Sequence, residues 1–367
     1  MKITIILPSL EIGGAEQLTV NLINDWIKNK FEIDLILLSK KGSLSQKIIN
    51  KNKVKIKYLN VSRLKNSIFP LMQIFRKTKP KIIWVNMWPL TSIVILSWIL
   101  SGKKGKIFLT DHNSLKYQIN NYSRYKFLNK LFLSITYRFA YGISTVSKDV
   151  RDELSKLTFI SKKKIRVIYN PVSVGKNKLK ELIGSNKKKW NEKFRLRFLS
   201  VGNLKKEKNY ECLIEAFSLL PKSIDAQLII LGDGPLKNQL NSLIKKLNLE
   251  NKIFMPGQVL NPYPWYYSAD LFILSSVTEG FGNVLVEALE CGLPIVSTNC
   301  FGGPKEILKN GKFGKLVEAN NVESLKKGIL DQISIKHDKN LLMNRSKDFL
   351  ISSISNHYIS FFNSGRK

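Results

Sequence analysis

Glu279 and Glu287 stand eight positions apart in Glu279-Gly-Phe-Gly-Asn-Val-Leu-Val-Glu287, and an apolar run, Leu271 to Leu274, precedes them. That run reads as a buried strand. Asn283 can cap the helix that follows, Gly292 can end it, and Pro294 lies just beyond. A helix starting there aims its first backbone N–H groups, Asn283 to Val286, out of the carboxyl end of a sheet, where the helix dipole favours a phosphate. Neither carboxylate suits a phosphate. Both suit hydroxyl groups, which a carboxylate accepts from in pairs. An anion cradle beside two hydroxyl acceptors describes a sugar attached to a diphosphate.

Other residues of chemical interest also fall where a strand gives way to a loop. Ser200-Val-Gly-Asn-Leu-Lys-Lys-Glu-Lys-Asn209 places Gly202, Asn203, Lys205, Lys206 and Lys208 at a strand end, and a lysine there can neutralise a diphosphate as a point charge. The loop Gly257-Gln-Val-Leu-Asn-Pro262, with Gln258 and Val259, can receive a base through its backbone, while Leu231-Gly-Asp-Gly-Pro235 reads as a structural turn. Near the start, Gly13-Gly14 separates a strand from a helix, either as a plain tight turn or as a close backbone approach to a phosphate or sugar. Asp111-His112-Asn113 ends another strand, and His112 there is either structural or a site residue. No D-x-D, H-E-x-x-H, G-x-x-x-x-G-K-[ST] or G-x-S-x-G motif is present, which disfavours metal-dependent, phosphoryl-transferring and triad chemistry.

The elements that carry these loops are continuous apolar strands alternating with helices, the pattern of parallel sheets covered on both faces. Strands are expected at Ile3–Leu7, Ile33–Leu38, Val54–Leu59, Ile82–Val85, Lys106–Leu109, Ile143–Val146 and Ile165–Ile168, then at Phe194–Val201, Gln227–Leu231, Lys252–Met255, Leu271–Leu274, Pro294–Thr298 and Lys315–Val317. The length of 367 residues fits two domains. The expected division is an acceptor-side domain over 1–172, a Lys/Asn-rich linker over 173–193, a nucleotide-sugar domain over 194–335, and a closing helical stretch over 336–367 that packs back on the first domain. Two such domains facing one another across a cleft place the ligand at the carboxyl ends of both sheets. Ile82–Leu100 lacks charge over a membrane-spanning length, but Asn86 and Pro89 divide it into a strand and a helix. No secretory signal follows Lys2, and three cysteines without metal spacing fit a reducing compartment.

In order along the chain, Gly13-Gly14-Ala15-Glu16, Asp111-His112, Val167-Ile-Tyr-Asn-Pro171, Gly202 to Lys208, Leu231-Gly-Asp-Gly-Pro235, Glu279 to Glu287 and Gly302-Gly-Pro-Lys-Glu-Ile307 resemble the retaining glycosyltransferases of family 4. The resemblance implies the α/β GT-B fold of two Rossmann-like, doubly wound domains. It implies sugar transfer with retention of anomeric configuration from a nucleotide-diphospho-sugar, a UDP-sugar being favoured, to a glycan or lipid-linked acceptor. Neither a metal nor a cofactor is expected. Glu287 would hold the ribose hydroxyls. Glu279, with the backbone of Phe281, Gly282, Asn283 and Val284, would hold the donor sugar. Lys208 would neutralise the diphosphate, assisted by Gly13 and Gly14, with His112 near the reacting sugar. Asn203 stands where the family usually carries Arg; it keeps a hydrogen bond and loses a charge, so diphosphate binding leans on Lys208 and on Lys205 or Lys206.

The net charge of +33 has two readings, an anionic partner or a compositional habit spread over the chain. Residues 101–170 hold 15 Lys or Arg against 4 Asp or Glu, interleaved with Tyr117, Tyr122, Tyr125, Phe127, Phe132, Tyr137 and Phe139. That pattern has two readings: a core-facing helix with a solvated basic face, or docking to an anionic membrane surface, the cytoplasmic leaflet, where a lipid-linked acceptor would reside. A cytoplasmic protein, peripheral on the inner face of the cell membrane and active in capsule, O-antigen or lipopolysaccharide assembly, is the resulting expectation. The alternatives are a GT-B nucleotide-sugar epimerase, a storage-glucan synthase, and a basic nucleic-acid-binding protein. The last leaves Glu279 and Glu287 without a role and has no recognisable RNA or DNA module, so no nucleic-acid partner is expected.

Overall fold

The structure is a computed structural model, and it describes residues 1–364 apart from 12, 123–124 and 185–189; the side chain of Tyr122 also lies outside the description. The chain divides into two compact units, residues 1–171 with 351–367, and residues 172–350.

In the first unit, β1 (Lys2–Leu7), β2 (Glu32–Leu37), β3 (Val54–Tyr58), β4 (Ile82–Asn86), β5 (Lys106–Asp111), β6 (Gly142–Thr145) and β7 (Ile165–Val167) form one sheet in the order β3-β2-β1-β4-β5-β6-β7. Every pairing is parallel. Period-two side-chain alternation sends Ile3, Ile5, Trp84 and Phe108 to one face, and Ile6, Ile83, Val85 and Leu109 to the other. Helix Gly14–Lys28 covers the first face through Leu18, Leu22 and Trp26. The second is covered in part by helices Ile68–Thr78 and Leu90–Leu100.

The closing stretch expected as one long helix is broken at Lys347–Phe349 into Lys339–Ser346 and Ile351–Asn363. Ile351–Asn363 belongs to the first unit. There Tyr358 and Phe362 pack on Trp84, and Phe361 on Phe108, with ring centroids 5.0–5.9 Å apart. Each such fully buried ring removes enough apolar surface from water to contribute about 2–3 kcal/mol.

In the second unit, β8 (Leu196–Val201), β9 (Ala226–Leu231), β10 (Ile253–Gly257), β11 (Leu271–Leu274), β12 (Ile295–Thr298) and β13 (Lys315–Val317) pair in parallel, in the order β10-β9-β8-β11-β12-β13. The order reverses between β8 and β11, as it does between β1 and β4 in the first unit. In open parallel sheets that reversal leaves a crevice at the strands' carboxyl ends, where ligands bind. Within the 173–193 stretch expected as a linker, Lys176–Gly184 is a helix with Leu179 buried, and Asn261 Nδ2 donates to the Leu182 carbonyl at 2.7 Å.

Candidate functional site

The loops after β8 and β11 bring together residues 71 positions apart. Lys208 Nζ lies 2.5 Å from Glu279 Oε1, with the two side chains 20% and 9% exposed. Ser276 Oγ donates to the same oxygen at 2.6 Å, and Ser275 Oγ donates to the Lys208 carbonyl at 2.8 Å. The Val277 N–H bonds the Glu207 carbonyl, and the Glu279 N–H bonds the Phe301 carbonyl, both at 2.9 Å. Charge pair and backbone are thus fixed by one network.

Glycine is required where this network is tightest. Gly302 has φ +110°, a conformation that strains any side chain, and a Cβ on it would stand 1.8 Å from the Glu279 carbonyl oxygen. On the other side, a Cβ on Gly232 would stand 1.9 Å from the Gly202 carbonyl oxygen, so the Leu231–Pro235 turn serves to seat the Gly202 loop.

The helix after β11 runs Asn283–Glu290. Its N-cap is Gly282 in the left-handed region, not Asn283 as the sequence suggested, and no side chain caps it. The reason is local: with φ +98°, Gly282 makes the turn that Asn would otherwise make. The Leu285 N–H bonds the Gly282 carbonyl at 2.9 Å, so the four free amides expected over Asn283 to Val286 are not all free. Gly292, with φ +66°, follows the helix end as expected.

One turn into the helix, Glu287 is half-buried, and its Oε2 accepts from the Tyr266 hydroxyl at 2.8 Å. Burial, then the Glu287 charge, pushes the Tyr266 phenol well above its ordinary range, which makes it a permanent donor. Phe281 is buried against Phe349, ring centroids 5.5 Å apart, which leaves its backbone as the group that can meet a ligand. Asn203 is half-buried, while Lys205 and Lys206 are exposed. Gln258 is exposed and Val259 half-buried just after β10, one strand beyond β9, so both sit at the periphery of the β8–β11 crevice.

Gly13, Gly14 and His112 belong to the first unit. Gly13 caps helix Gly14–Lys28 in an extended conformation, and a Cβ on it would stand 2.3 Å from a Glu16 carboxylate oxygen. His112 follows β5, buried, with neither ring nitrogen hydrogen-bonded. Burial lowers its pKa to about 3, which makes it neutral at pH 7. Its neighbour Asp111 accepts from Tyr137 Oη at 3.0 Å, and burial raises its pKa to about 7 against that hydrogen bond. Among the described residues no group of three or more His, Cys, Asp and Glu could hold a metal ion, and no helix is long and apolar enough to cross a membrane.

The sequence reading missed two features of the second unit. The Lys208–Glu279 pair is invisible at a separation of 71 residues. Tyr263 and Tyr266 share one face of the short helix Tyr263–Ser268, and the spacing of Glu287 and Glu290 on the next helix was the signal that could have paired them.

Comparison with known proteins places these residues in a wider set. The family model Glycosyltransferase Family 4 matches residues 12–176, and the model Glycosyl transferases group 1 matches residues 184–348. An N-acetylgalactosamine-N,N'-diacetylbacillosaminyl-diphospho-undecaprenol 4-alpha-N-acetylgalactosaminyltransferase of Campylobacter jejuni is 32% identical over 361 residues, 94% of each chain. A second C. jejuni enzyme is 24% identical over 98% of this chain and 97% of its own; it is an alpha-1,4-N-acetyl-D-galactosaminyltransferase acting on GalNAc-alpha-(1->4)-GalNAc-alpha-(1->3)-diNAcBac-PP-undecaprenol. Among solved structures, Anabaena HepE in complex with UDP superposes with a TM-score of 0.75 at 19% identity, covering 98% of this chain and 99% of that one. Sucrose-phosphate synthase of Thermosynechococcus elongatus gives 0.77 at 15% identity, covering 98% of each. These two likenesses, with the two parallel sheets, establish the two-domain α/β GT-B fold.

Proposed function

Since the chain belongs to the group 1, family 4 glycosyltransferases, we propose that it moves a sugar from a nucleotide-diphospho-sugar, a UDP-sugar, to a glycan or lipid-linked acceptor in cell-surface polysaccharide assembly. The observation that carries the donor half of this reading is the Lys208–Glu279 pair at the β8–β11 reversal, with Glu287 one turn into the helix that follows β11. In the proposed complex Glu287 accepts from the ribose hydroxyls. Lys208, the helix N-terminus and backbone amides near Gly282 meet the diphosphate, and Glu279 accepts from the sugar. The UDP complex of HepE and the undecaprenol-linked substrates named for the C. jejuni relatives support the donor and acceptor classes.

The proposed chemistry retains anomeric configuration and uses no metal. The bond from the anomeric carbon to the diphosphate oxygen breaks, the acceptor oxygen bonds the same carbon from the same face, and the acceptor proton passes to the departing phosphate. Leaving-group charge is then met by fixed dipoles and one cation, which cost no reorganisation when they act. Glu279 is proposed as a holder of sugar and not as a covalent nucleophile, because one of its oxygens is already engaged by Lys208 and Ser276.

A surface of the first unit supports a place at an anionic cytoplasmic membrane face. Helix Lys126–Tyr137 buries Leu133, Thr136 and Tyr137 and turns Phe127 (76% exposed), Leu128, Leu131 and Ile135 outward. Lys126 and Arg138 flank that apolar stripe, and Lys103 Nζ sits 4.9 Å from the ring centre of exposed Phe139. Apolar side chains with basic neighbours suit insertion beside anionic headgroups.

The donor reading is tested by thermal shift with UDP-, GDP- and ADP-sugars, since a ligand that binds only the folded chain raises its melting temperature. A UDP-sugar is expected to raise it most; no shift with any of them would sink the reading.

A further inference from the structure

Two tyrosines face two glutamates in register. The short helix Tyr263–Ser268 packs against the site helix Asn283–Glu290, and Tyr266 Oη donates to Glu287 Oε2 at 2.8 Å while Tyr263 Oη donates to Glu290 Oε2 at 3.0 Å. The two bonds differ in what surrounds them. The other oxygen of Glu290, Oε1, is taken by Ser173 Oγ at 2.7 Å and by the Gly175 N–H at 2.9 Å, so that carboxylate is consumed inside the protein. Glu290 is 3% exposed, whereas Glu287 is half-buried.

Tyr266 itself is fully buried, its ring tilted against Phe272 at 5.5 Å and edge-on to Tyr263 at 6.3 Å. A phenylalanine would fill the same space without a polar atom to satisfy. What the hydroxyl adds is a fixed donor to one oxygen of Glu287, and thereby a fixed carboxylate plane. A vicinal diol asks for that: two hydroxyls donating to one carboxylate bind best when it does not have to be oriented first.

We propose that Tyr266 is a positioning residue that presets Glu287 for the ribose cis-diol, and so makes the site selective for ribonucleotides over nucleotides lacking those hydroxyls. This rests on the reading of Glu287 given above.

The experiment titrates the chain with whichever of UDP, GDP or ADP binds it most tightly, and with the 2′,3′-dideoxy form of that nucleotide. Wild type, Tyr266→Phe, Tyr263→Phe and Glu287→Ala are compared, and all four are melted. Wild type is expected to prefer the ribo form. Glu287→Ala abolishes the preference, and Tyr266→Phe weakens the ribo form by about five- to thirtyfold while leaving the dideoxy form unchanged. Tyr263→Phe, which removes the hydroxyl of another buried tyrosine from the same helix, is expected to leave the preference intact, so a general loosening shows in both variants and a positioning effect in one. Equal weakening of both nucleotides by Tyr266→Phe, or no weakening while Glu287→Ala acts, overturns the proposal alone. If Tyr266→Phe does not fold, a preference lost in folded Tyr263→Phe overturns it and a preference kept there supports it. A Glu287→Ala variant that keeps the full preference, or a wild type that binds none of the three, overturns the reading of Glu287 as well.

Discussion

Lys208 and Glu279 serve each other in the fold and are assigned different tasks toward the donor, and these two functions can be separated. Lys208→Met keeps most of the side chain's volume and removes its charge. Glu279, 9% exposed, then keeps the hydrogen bond from Ser276 but not its cation. Removing one partner of a fully buried pair costs about 3–5 kcal/mol; with Lys208 20% exposed, about 2–3 kcal/mol is appropriate once solvent screening is included. In a unit of this size that lowers the melting temperature by roughly 5–10 °C. Adding Glu279→Gln removes the stranded charge and should return most of that loss. Donor binding behaves differently: a cation beside a diphosphate contributes about 2–3 kcal/mol, or about 30- to 150-fold in affinity, and the double variant does not restore it. Melting curves and nucleoside-diphosphate titration of both variants check this. A double variant no more stable than Lys208→Met, or one that binds the nucleotide as wild type does, would refute the separation.

Three further outcomes follow from particular groups. Gly302→Ala places a methyl group 1.8 Å from the Glu279 carbonyl oxygen at φ +110°; it should cost well over 1 kcal/mol and reduce donor binding, checked by melting and titration. Asp111, raised to about 7 by burial, holds its proton in the fold while the unfolded chain releases it near pH 4, so it makes stability fall as pH rises from about 4 to about 7. His112, lowered to about 3, does the reverse, its stabilising contribution being present above about pH 6.5 and lost as pH falls toward 3. Asp111→Asn should therefore expose the His112 slope, a melting temperature that rises across pH 4–6.5, by an effect of up to about 3 kcal/mol. Phe127→Ser with Leu131→Ser should lower flotation with anionic vesicles at least tenfold and leave soluble-donor binding unchanged.

Strands were legible because parallel sheets buried on both faces require unbroken apolar runs, and Leu271–Leu274 and Lys315–Val317 stand as read. The placement of Glu279 in a glycine-punctuated strand-to-helix loop and of Glu287 one turn into the helix was legible, because a buried strand followed by glycines and a helix-forming run marks that turn. Local geometry was harder. Asn283 is a strong capping residue by type, yet Gly282 takes the left-handed turn and the cap with it. The closing stretch over 336–367 reads as helical, and nothing local marks the break at Lys347–Phe349, where Phe349 is buried against Phe281. Tyr266 reads as an ordinary core aromatic; only the position of Glu287 across the helix pair gives its hydroxyl a purpose.

The central claim, a nucleotide-diphospho-sugar donor held by Lys208, Glu279 and Glu287, is tested most directly by acceptor-dependent release of nucleoside diphosphate. Wild type and Glu287→Ala are supplied with UDP-sugars and an undecaprenyl-diphosphate-linked glycan, and free UDP is measured over time. The account predicts UDP release that requires the acceptor and falls at least tenfold in Glu287→Ala. Equal release from both proteins, or none from wild type with any sugar, would contradict it.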